Sequence, residues 1–567
     1  MYRTSINKNI LFLHCCIKQN FIYSILLFVW PIILLTISDS WIYSFTGNTD
    51  IWIYIGYFYN LVDELALAIP DYKATRSPFL IIGYVIHRLF SPFIANYVFH
   101  LGIYYISVFS FFVIISLLFN KRSALFTTIA LATYIPFLTT IGQNYPSGIA
   151  IMYMLLILLC FTLANKFKHY KILLFFSGIF IAGMIWSQLF TLIFLPFLTL
   201  YWLISNILNR QKNQIQQLFY IILGFVSLTC LLMIINYILT SNLWFFYSNL
   251  TITNRLLNSN IYVKQGFNWN SAVWLGLPIS VAIGGIIFCI NMVRRGFKHK
   301  DIVACFFQIS LLCIIISYTI FEFILKQPIL QIPFYGSLLL PIVFIAFGAQ
   351  IQPSLVLFTQ RKFIQLFTLF CLLLVVQYTF YSKINFIFFP FALRLIRILL
   401  IGFFAILLIY KRPMTTKKFI GFLLCITIMW SGFAINDKYY FIFQPRGNKQ
   451  HYLASISGAQ YIQKNYNGFA GYYWYPDDEQ QEIYRSIISY FYWTRVLISE
   501  NFPKLPDNPN RIQPGMIITI LSKSPDTLSQ ADKSLVELGY HSKLLKKEEF
   551  SDNSVHFTIF SISIMQN

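Results

Sequence analysis

Carboxylates are what this sequence has least of. Its 567 residues include 20 Asp and Glu, and 13 of these lie after residue 436. The preceding 436 residues hold seven: Asp39, Asp50, Asp63, Glu64, Asp71, Asp301 and Glu322. Charge of either sign is scarce as well, at 11% of residues, against about 25% in soluble domains. An ordinary soluble protein is therefore excluded. Cysteine is absent from the last 130 or so residues; its nine copies all lie in or beside apolar runs, so no disulfide framework is implied. The eight histidines are scattered without zinc spacing. Phosphate loops, dinucleotide fingerprints and nucleophile elbows are also missing.

What is there is apolar and aromatic. Hydrophobic residues make up 57% of the chain, aromatic residues 19%, and the mean hydropathy is +0.65. A span needs about 20 apolar residues. Runs that meet this begin at 20–38 and continue at 93–119, 123–141, 148–165, 172–187, 188–208, 218–240, 272–293, 302–325, 332–350, 363–381, 385–410 and 419–436. This predicts a polytopic α-helical membrane protein with about thirteen transmembrane helices. The first run has no small-residue cleavage site after it and reads as a retained helix. Lys and Arg number twenty in one set of alternating loops and seven in the other. The positive-inside rule then places the N-terminus in the cytoplasm and the tail outside. The net charge of +22 reflects this loop bias and does not indicate nucleic-acid binding.

Two domains follow: a transmembrane part over 1–436, with a first outer loop at 39–92, and an extracytoplasmic α/β domain over 437–567. The tail mixes 13 acidic with 13 basic residues. Strands are expected at 470–475, 515–521 and 555–564, and helices at about 452–466, from Asp477 or Asp478 to about 499, and at about 527–539, ending at Gly539.

Five of the seven early acids fall within 33 residues of the first outer loop. Carboxylates at a membrane edge are costly and tend to be functional. The loop is expected to hold two helices lying along the membrane surface. In the first, Thr49 or Asp50 is the expected N-cap. Asp50, Tyr54 and Tyr57 share one face; Ile51, Ile55, Phe58 and Val62 share another. The second, at 79–90, follows Pro78 and ends with His87 and Arg88. Such a site suits transfer of a sugar from a lipid phosphate. The phosphate is a good leaving group, one carboxylate orients or deprotonates the acceptor, and cations hold the phosphate as its charge grows.

The segments TDIWIYIGYFYNL (49–61), YKATRSPFLIIGYVIHRLFSP (72–92) and ANYVFHL (95–101) resemble the GT-C superfamily of membrane glycosyltransferases, in particular the protein O-mannosyltransferase and aminoarabinose transferase-like bacterial proteins. The likeness is best over the first 165 residues; beyond them it rests on topology and the tail, including FYWTRVLISENFP (491–503). It implies a sugar donor on polyprenyl phosphate, an inverting transfer at the outer face of a bacterial cytoplasmic membrane, membrane lipids as surroundings, and an acceptor glycan, lipid or protein.

The resemblance makes Asp50 the leading catalytic candidate. The helix dipole stabilises its ionised form, which suits orienting an acceptor more than taking its proton; the alternative is a helix cap alone. Asp63 and Glu64 are adjacent, so one faces the site and the other water. Arg76 binds phosphate or pairs with a loop acid. Glu322 joins the site or pairs with Lys326. Arg394 and Arg397, three apart in an apolar run, bind the carrier phosphate or snorkel to the interface. Tyr54 and Tyr57 are the expected acceptor or sugar contacts. No cofactor is certain. A divalent cation remains open, but many relatives carry an acid in the second outer loop, and here that loop, GQNYPSG at 142–148, has none. This argues against a two-carboxylate metal site. The alternatives are a transporter or lipid flippase, which internal repeats would mark and none is clear, and a non-catalytic GT-C-like envelope protein.

Overall fold

The computed structural model describes residues 21–43, 49–66, 72–166, 170–208, 213–247, 333–383, 414–431, 517–522, 526–537, 539–552 and 555–566, with isolated positions that include 449, 452, 453, 456, 473 and 474. Helices are numbered in chain order among these residues. The first are α1 (Phe21–Ile37), α2 (Thr49–Ala66), α3 (Ser77–Leu89), α4 (Pro92–Leu118), α5 (Lys121–Thr133), α6 (Ile135–Gly142), α7 (Pro146–Ala164) and α8 (Tyr170–Ser187). They are followed by α9 (Leu195–Leu208), α10 (Gln214–Thr240), α11 (Leu340–Leu355), α12 (Gln360–Lys383) and α13 (Met414–Ser431). Six helices among the described residues are long and apolar enough to cross a membrane, and the bent pair α5–α6 adds a seventh. The protein is a multi-pass, mainly helical membrane protein. The run expected at 272–293, and all but isolated positions of those at 302–325 and 385–410, lie outside the described residues.

Burial separates the bundle's centre from its edge. The most apolar stretch of α7 is 83% buried, whereas that of α10 is 11% buried. On α10, Phe219, Ile222, Val226 and Ile234 are exposed. A helix apolar all round is at home in hydrocarbon, so α10 forms a lipid-facing wall and α7 sits in the core.

Two expected straight spans are broken, each for a local reason. The run 123–141 bends by 61° between α5 and α6. Pro136 follows the break and has no N–H to give Ala132 O, four residues back. Tyr104 Oη donates to that carbonyl instead, at 3.2 Å. The run 188–208 begins with Gln188 in extended backbone and a 3-10 turn over Leu189–Phe194. Thr191 Oγ1 donates to Met184 O (3.2 Å) and Gln188 O (2.7 Å), covering carbonyls at the end of α8.

The loop helices also differ from expectation. α2 begins at Thr49, so Asp50 lies inside the first turn and is not the cap. Every residue from Ile51 to Phe58 is buried, while Val62 is exposed. A one-sided surface helix would bury one face only. α2 is enclosed because α3 packs along it, α10 reaches it, and Tyr452 stacks on Trp52 at 5.4 Å. α3 starts where Pro78 implied, with Arg76 at its N-cap.

In the tail, strands β1 (Tyr473–Trp474), β2 (Ile517–Ser522), β3 (Tyr540–Asp552) and β4 (Val555–Gln566) form a sheet in the order β1-β2-β4-β3. β1 and β2 are parallel; β2 and β3 each run antiparallel to β4. Helix α14 (Asp526–Glu537) is followed by Gly539 in left-handed backbone, φ 82°. β3 was not expected. Its Lys543, Lys546, Lys547, Glu548 and Glu549 hide the alternation, and it lies at the sheet's edge, where such charges deter pairing with other chains.

The first loop and the α6–α7 link meet backbone to backbone at Gly142. A Cβ there would collide with the carbonyl oxygen of Trp41, whereas one on Gly102 would touch nothing within 4 Å. Gly142→Ala is expected to cost about 1–3 kcal/mol or more, seen as a lower thermal midpoint in detergent. Gly102→Ala should be neutral or stabilising by up to about 1 kcal/mol. Equal midpoints for both variants would contradict this packing.

Candidate functional site

The three segments that carry the sequence resemblance meet at one end of the bundle, against the link between α6 and α7. A 3-10 turn over Tyr72–Thr75 leads into α3, and Arg76 N–H donates to Lys73 O at 3.2 Å. The turn sets Lys73 and Arg76 three residues apart. Lys73 Nζ lies 3.1 Å from Asp50 Oδ1. The leading carboxylate is thus ion-paired at the start of α2, with its side chain 37% exposed.

Arg76 is deeper, 7% exposed. Its guanidinium carbon stands 5.3 Å from the ring centre of Tyr54 and 5.3 Å from that of Tyr145. The two rings meet edge to face at 5.7 Å. Each cation–π contact contributes about 0.5–2 kcal/mol, more as water is excluded. Tyr54 is therefore committed to Arg76 and to Phe79, whose ring is 5.3 Å away. Tyr57 is 1% exposed within the core. Neither tyrosine is an open platform for a sugar, as the helical-face reading had suggested. Their burial follows from the enclosure of α2.

Neutral amides fasten the acid-free link. Asn96 Nδ2 donates to Ile42 O (2.9 Å), and Asn144 Nδ2 donates to Asn96 Oδ1 (3.2 Å). His100 Nδ1 bonds Ile141 O at 2.6 Å, and its Nε2 lies 3.1 Å from Asn144 Oδ1. The link is tied to α4 and to the first loop at once, and this sets Tyr145 over Arg76.

A second polar cluster joins the tail to the loop. Asp39 Oδ2 accepts from Tyr97 Oη (2.7 Å) and from Lys449 Nζ (2.6 Å). Tyr43 Oη donates to Tyr97 Oη (3.2 Å). Tyr452 lies 5.4 Å from the rings of both Tyr43 and Trp52. Trp52 is two residues from Asp50, so Lys449 and Tyr452 of the tail buttress the start of α2.

The structure sets Arg76 against Tyr54 and pairs Asp50 with Lys73 at the start of the same helix, while Tyr57 lies further along α2 in the core. The side chains of Asp63 and Glu64, and the whole of Glu322, Arg394 and Arg397, lie outside the described residues. Sequence reasoning missed Lys73, Tyr145, Asn144, Asp39, Tyr97 and Lys449. Lys73 was visible as a second cation three residues before Arg76; nothing local marks Lys449 as a partner of Asp39. Among the described residues no group of three His, Cys, Asp or Glu could hold a metal ion.

No protein-family model matches the chain, and no curated protein matches it. Two solved structures of ArnT from Cupriavidus metallidurans are similar. The apo state is 12% identical, with 95% of this chain and 97% of that one covered and a TM-score of 0.48. The form bound to undecaprenyl phosphate is 12% identical, with 96% and 98% covered and a TM-score of 0.49.

Asp39→Asn or Lys449→Ala should release the tail segment without unfolding the bundle. Faster amide exchange at 39–43 and 449–456, with α7 unchanged, is the expected result. A second prediction concerns His87 in α3. Burial against Phe58 and Tyr59 pulls its imidazole down to about 4, against the opposing bond to Gly83 O. An unfolded imidazole takes its proton near pH 6.5. Between those values the unfolded state binds more protons, so this contribution is complete above about pH 6.5 and is lost as pH falls toward 4. The thermal midpoint of the wild type should therefore fall more steeply than that of His87→Asn between pH 7 and 4.5, by roughly 1–3 kcal/mol in stability.

Proposed function

We propose that the chain transfers a sugar from a polyprenyl-phosphate carrier to an acceptor at the outer face of a bacterial cytoplasmic membrane. The observation that carries this reading is the Asp50–Lys73 pair at 3.1 Å, one short turn from the buried Arg76. One carboxylate and two cations lie close together in a largely apolar helical protein, the composition that a phosphate leaving group and an acceptor require.

Each group has a role. The acceptor oxygen or nitrogen attacks the anomeric carbon, and the bond from that carbon to the phosphate oxygen breaks. The phosphate leaves with the electron pair, with inversion at carbon. Asp50 accepts a hydrogen bond from the acceptor, orients its lone pair and receives the proton as the new bond forms. Lys73 holds the Asp50 carboxylate in position in the resting state. As negative charge grows on the departing phosphate, Lys73 and Arg76 are the cations within reach to stabilise it. Arg76 is preorganised, since Tyr54 and Tyr145 hold its plane before substrate arrives. From the sequence alone, Arg394 and Arg397 are further candidates for binding the phosphate, and Asp63, Glu64 and Glu322 for supporting acids. The scheme uses no metal ion.

Purified protein in liposomes with a labelled polyprenyl-phosphate sugar tests the reading. Asp50→Asn should lower transfer about 10²–10⁴-fold with little change in carrier binding. Arg76→Lys keeps the charge but not the planar stacking; it should raise KM for the carrier and lower kcat. If Asp50→Asn retains full transfer, the ion pair is structural and Asp50 is not the catalytic group; if the wild type transfers nothing, a non-catalytic envelope protein becomes the better account.

A further inference from the structure

Trp52 and Tyr54 stand two residues apart on α2, and two residues turn a helix by about 200°. Their side chains therefore leave opposite sides of α2. Asp50, four residues before Tyr54, shares the Tyr54 side. That side meets the two cations: Lys73 Nζ is 3.1 Å from Asp50 Oδ1, and the Arg76 guanidinium is 5.3 Å from the Tyr54 ring. The other side meets Tyr452 of the tail, whose ring lies 5.4 Å from that of Trp52 at 30°. Tyr452 thus backs α2 behind the face that carries the carboxylate and holds the guanidinium.

The same side chain reaches the link between α6 and α7. Tyr452 Oη lies 3.5 Å from Asn96 Oδ1, the oxygen that accepts from Asn144 Nδ2. A carbonyl oxygen has two lone pairs, so one acceptor serves both donors. Asn144 immediately precedes Tyr145, the second ring against Arg76. Tyr452 is 1% exposed, and Ile456, one turn further on, is fully buried. Lys449, Tyr452 and Ile456 have the i, i+3, i+7 spacing of one helical face. Lys449, at the start of that face, is held by its 2.6 Å pair with Asp39. One buried ring from the tail therefore touches both arms between which Arg76 is held.

We infer that Tyr452 is a positioning residue for the carrier-phosphate site. It fixes the spacing between α2 and the α6–α7 link, and through Tyr54 and Tyr145 the place of the Arg76 guanidinium. This rests on the reading of Arg76 as a phosphate ligand and gives the tail a part in it. A ring suits the task, because it is large and has only two side-chain torsions to fix. Without it a cavity opens behind α2, and the surroundings relax part of the way into such a space. Any retreat of α2 parts Tyr54 from Tyr145, and the cation between them then loses its fixed plane.

The test is a double-mutant cycle on the full-length protein in detergent, read as binding of decaprenyl phosphate. Tyr452→Ala should weaken binding about tenfold when Arg76 is present, and less than about twofold in an Arg76→Lys background, where no planar stack is left to position. Tyr452→Phe keeps the ring behind α2 and gives up only the long contact to Asn96, so it should stay within about threefold of the wild type. Lys449→Ala, at a half-exposed position, should weaken binding in the same direction by less, again only when Arg76 is present, and serves if Tyr452→Ala does not fold. Unchanged binding in Tyr452→Ala, or the same loss in both backgrounds, overturns the positioning role and leaves Tyr452 as packing, with the phosphate site standing. Failure of the wild type to bind decaprenyl phosphate removes the phosphate site and this role together.

Discussion

A guanidinium buried against two tyrosine rings in a largely apolar protein sets the terms for the rest of the site. A cation is costly to remove from water, so Arg76 stays where it is only while Tyr54 and Tyr145 are both in place. Tyr54 is placed by α2, which is wrapped on all sides over two turns. Tyr145 is placed by the link after α6, which depends on the close approach at Gly142 and on the chain of amides through Asn96, Asn144 and His100. Disturbing any of these moves the cation, and the cation is what a phosphate would meet.

The amide chain also gives a physical reason for the missing acid in the second loop. Asn144 donates to Asn96 Oδ1 while its own oxygen faces His100 Nε2. Asn96 must present that oxygen because its nitrogen is spent on Ile42 O. An ionised Asp at 144 has no donor for Asn96. The link is thus built for orientation, and the ionic chemistry is concentrated on the first loop, where Asp50, Lys73 and Arg76 lie within one short segment of helix, turn and helix.

Much of this was legible in the chain itself. The apolar runs located α4, α7, α8, α10 and α12 to within a few residues, because hydrocarbon demands uninterrupted apolar helices. The scarcity of carboxylates pointed to the first loop, and Pro78 marked the start of α3. What escaped notice depended on partners distant in sequence. The enclosure of α2 requires α3, α10 and Tyr452, none of which its own periodicity reports. The bend at Tyr134 could have been suspected from Pro136, but the carbonyl it frees is met by Tyr104, thirty residues earlier. Lys449 reaches Asp39 across 410 positions, and no local pattern foretells such a pairing. In the tail, the charges that protect the edge strand β3 are the same ones that disguise it.

The central claim is that Lys73 and Arg76 form a phosphate site governed by Asp50. The most direct measurement is an experimental structure with a polyprenyl monophosphate bound, read at these three side chains. The account predicts phosphate oxygens within hydrogen-bond distance of the Arg76 guanidinium or Lys73 Nζ, with Asp50 facing the space beyond the phosphate. A phosphate bound elsewhere, with the Asp50–Lys73 pair and the Arg76 stack undisturbed, would contradict it.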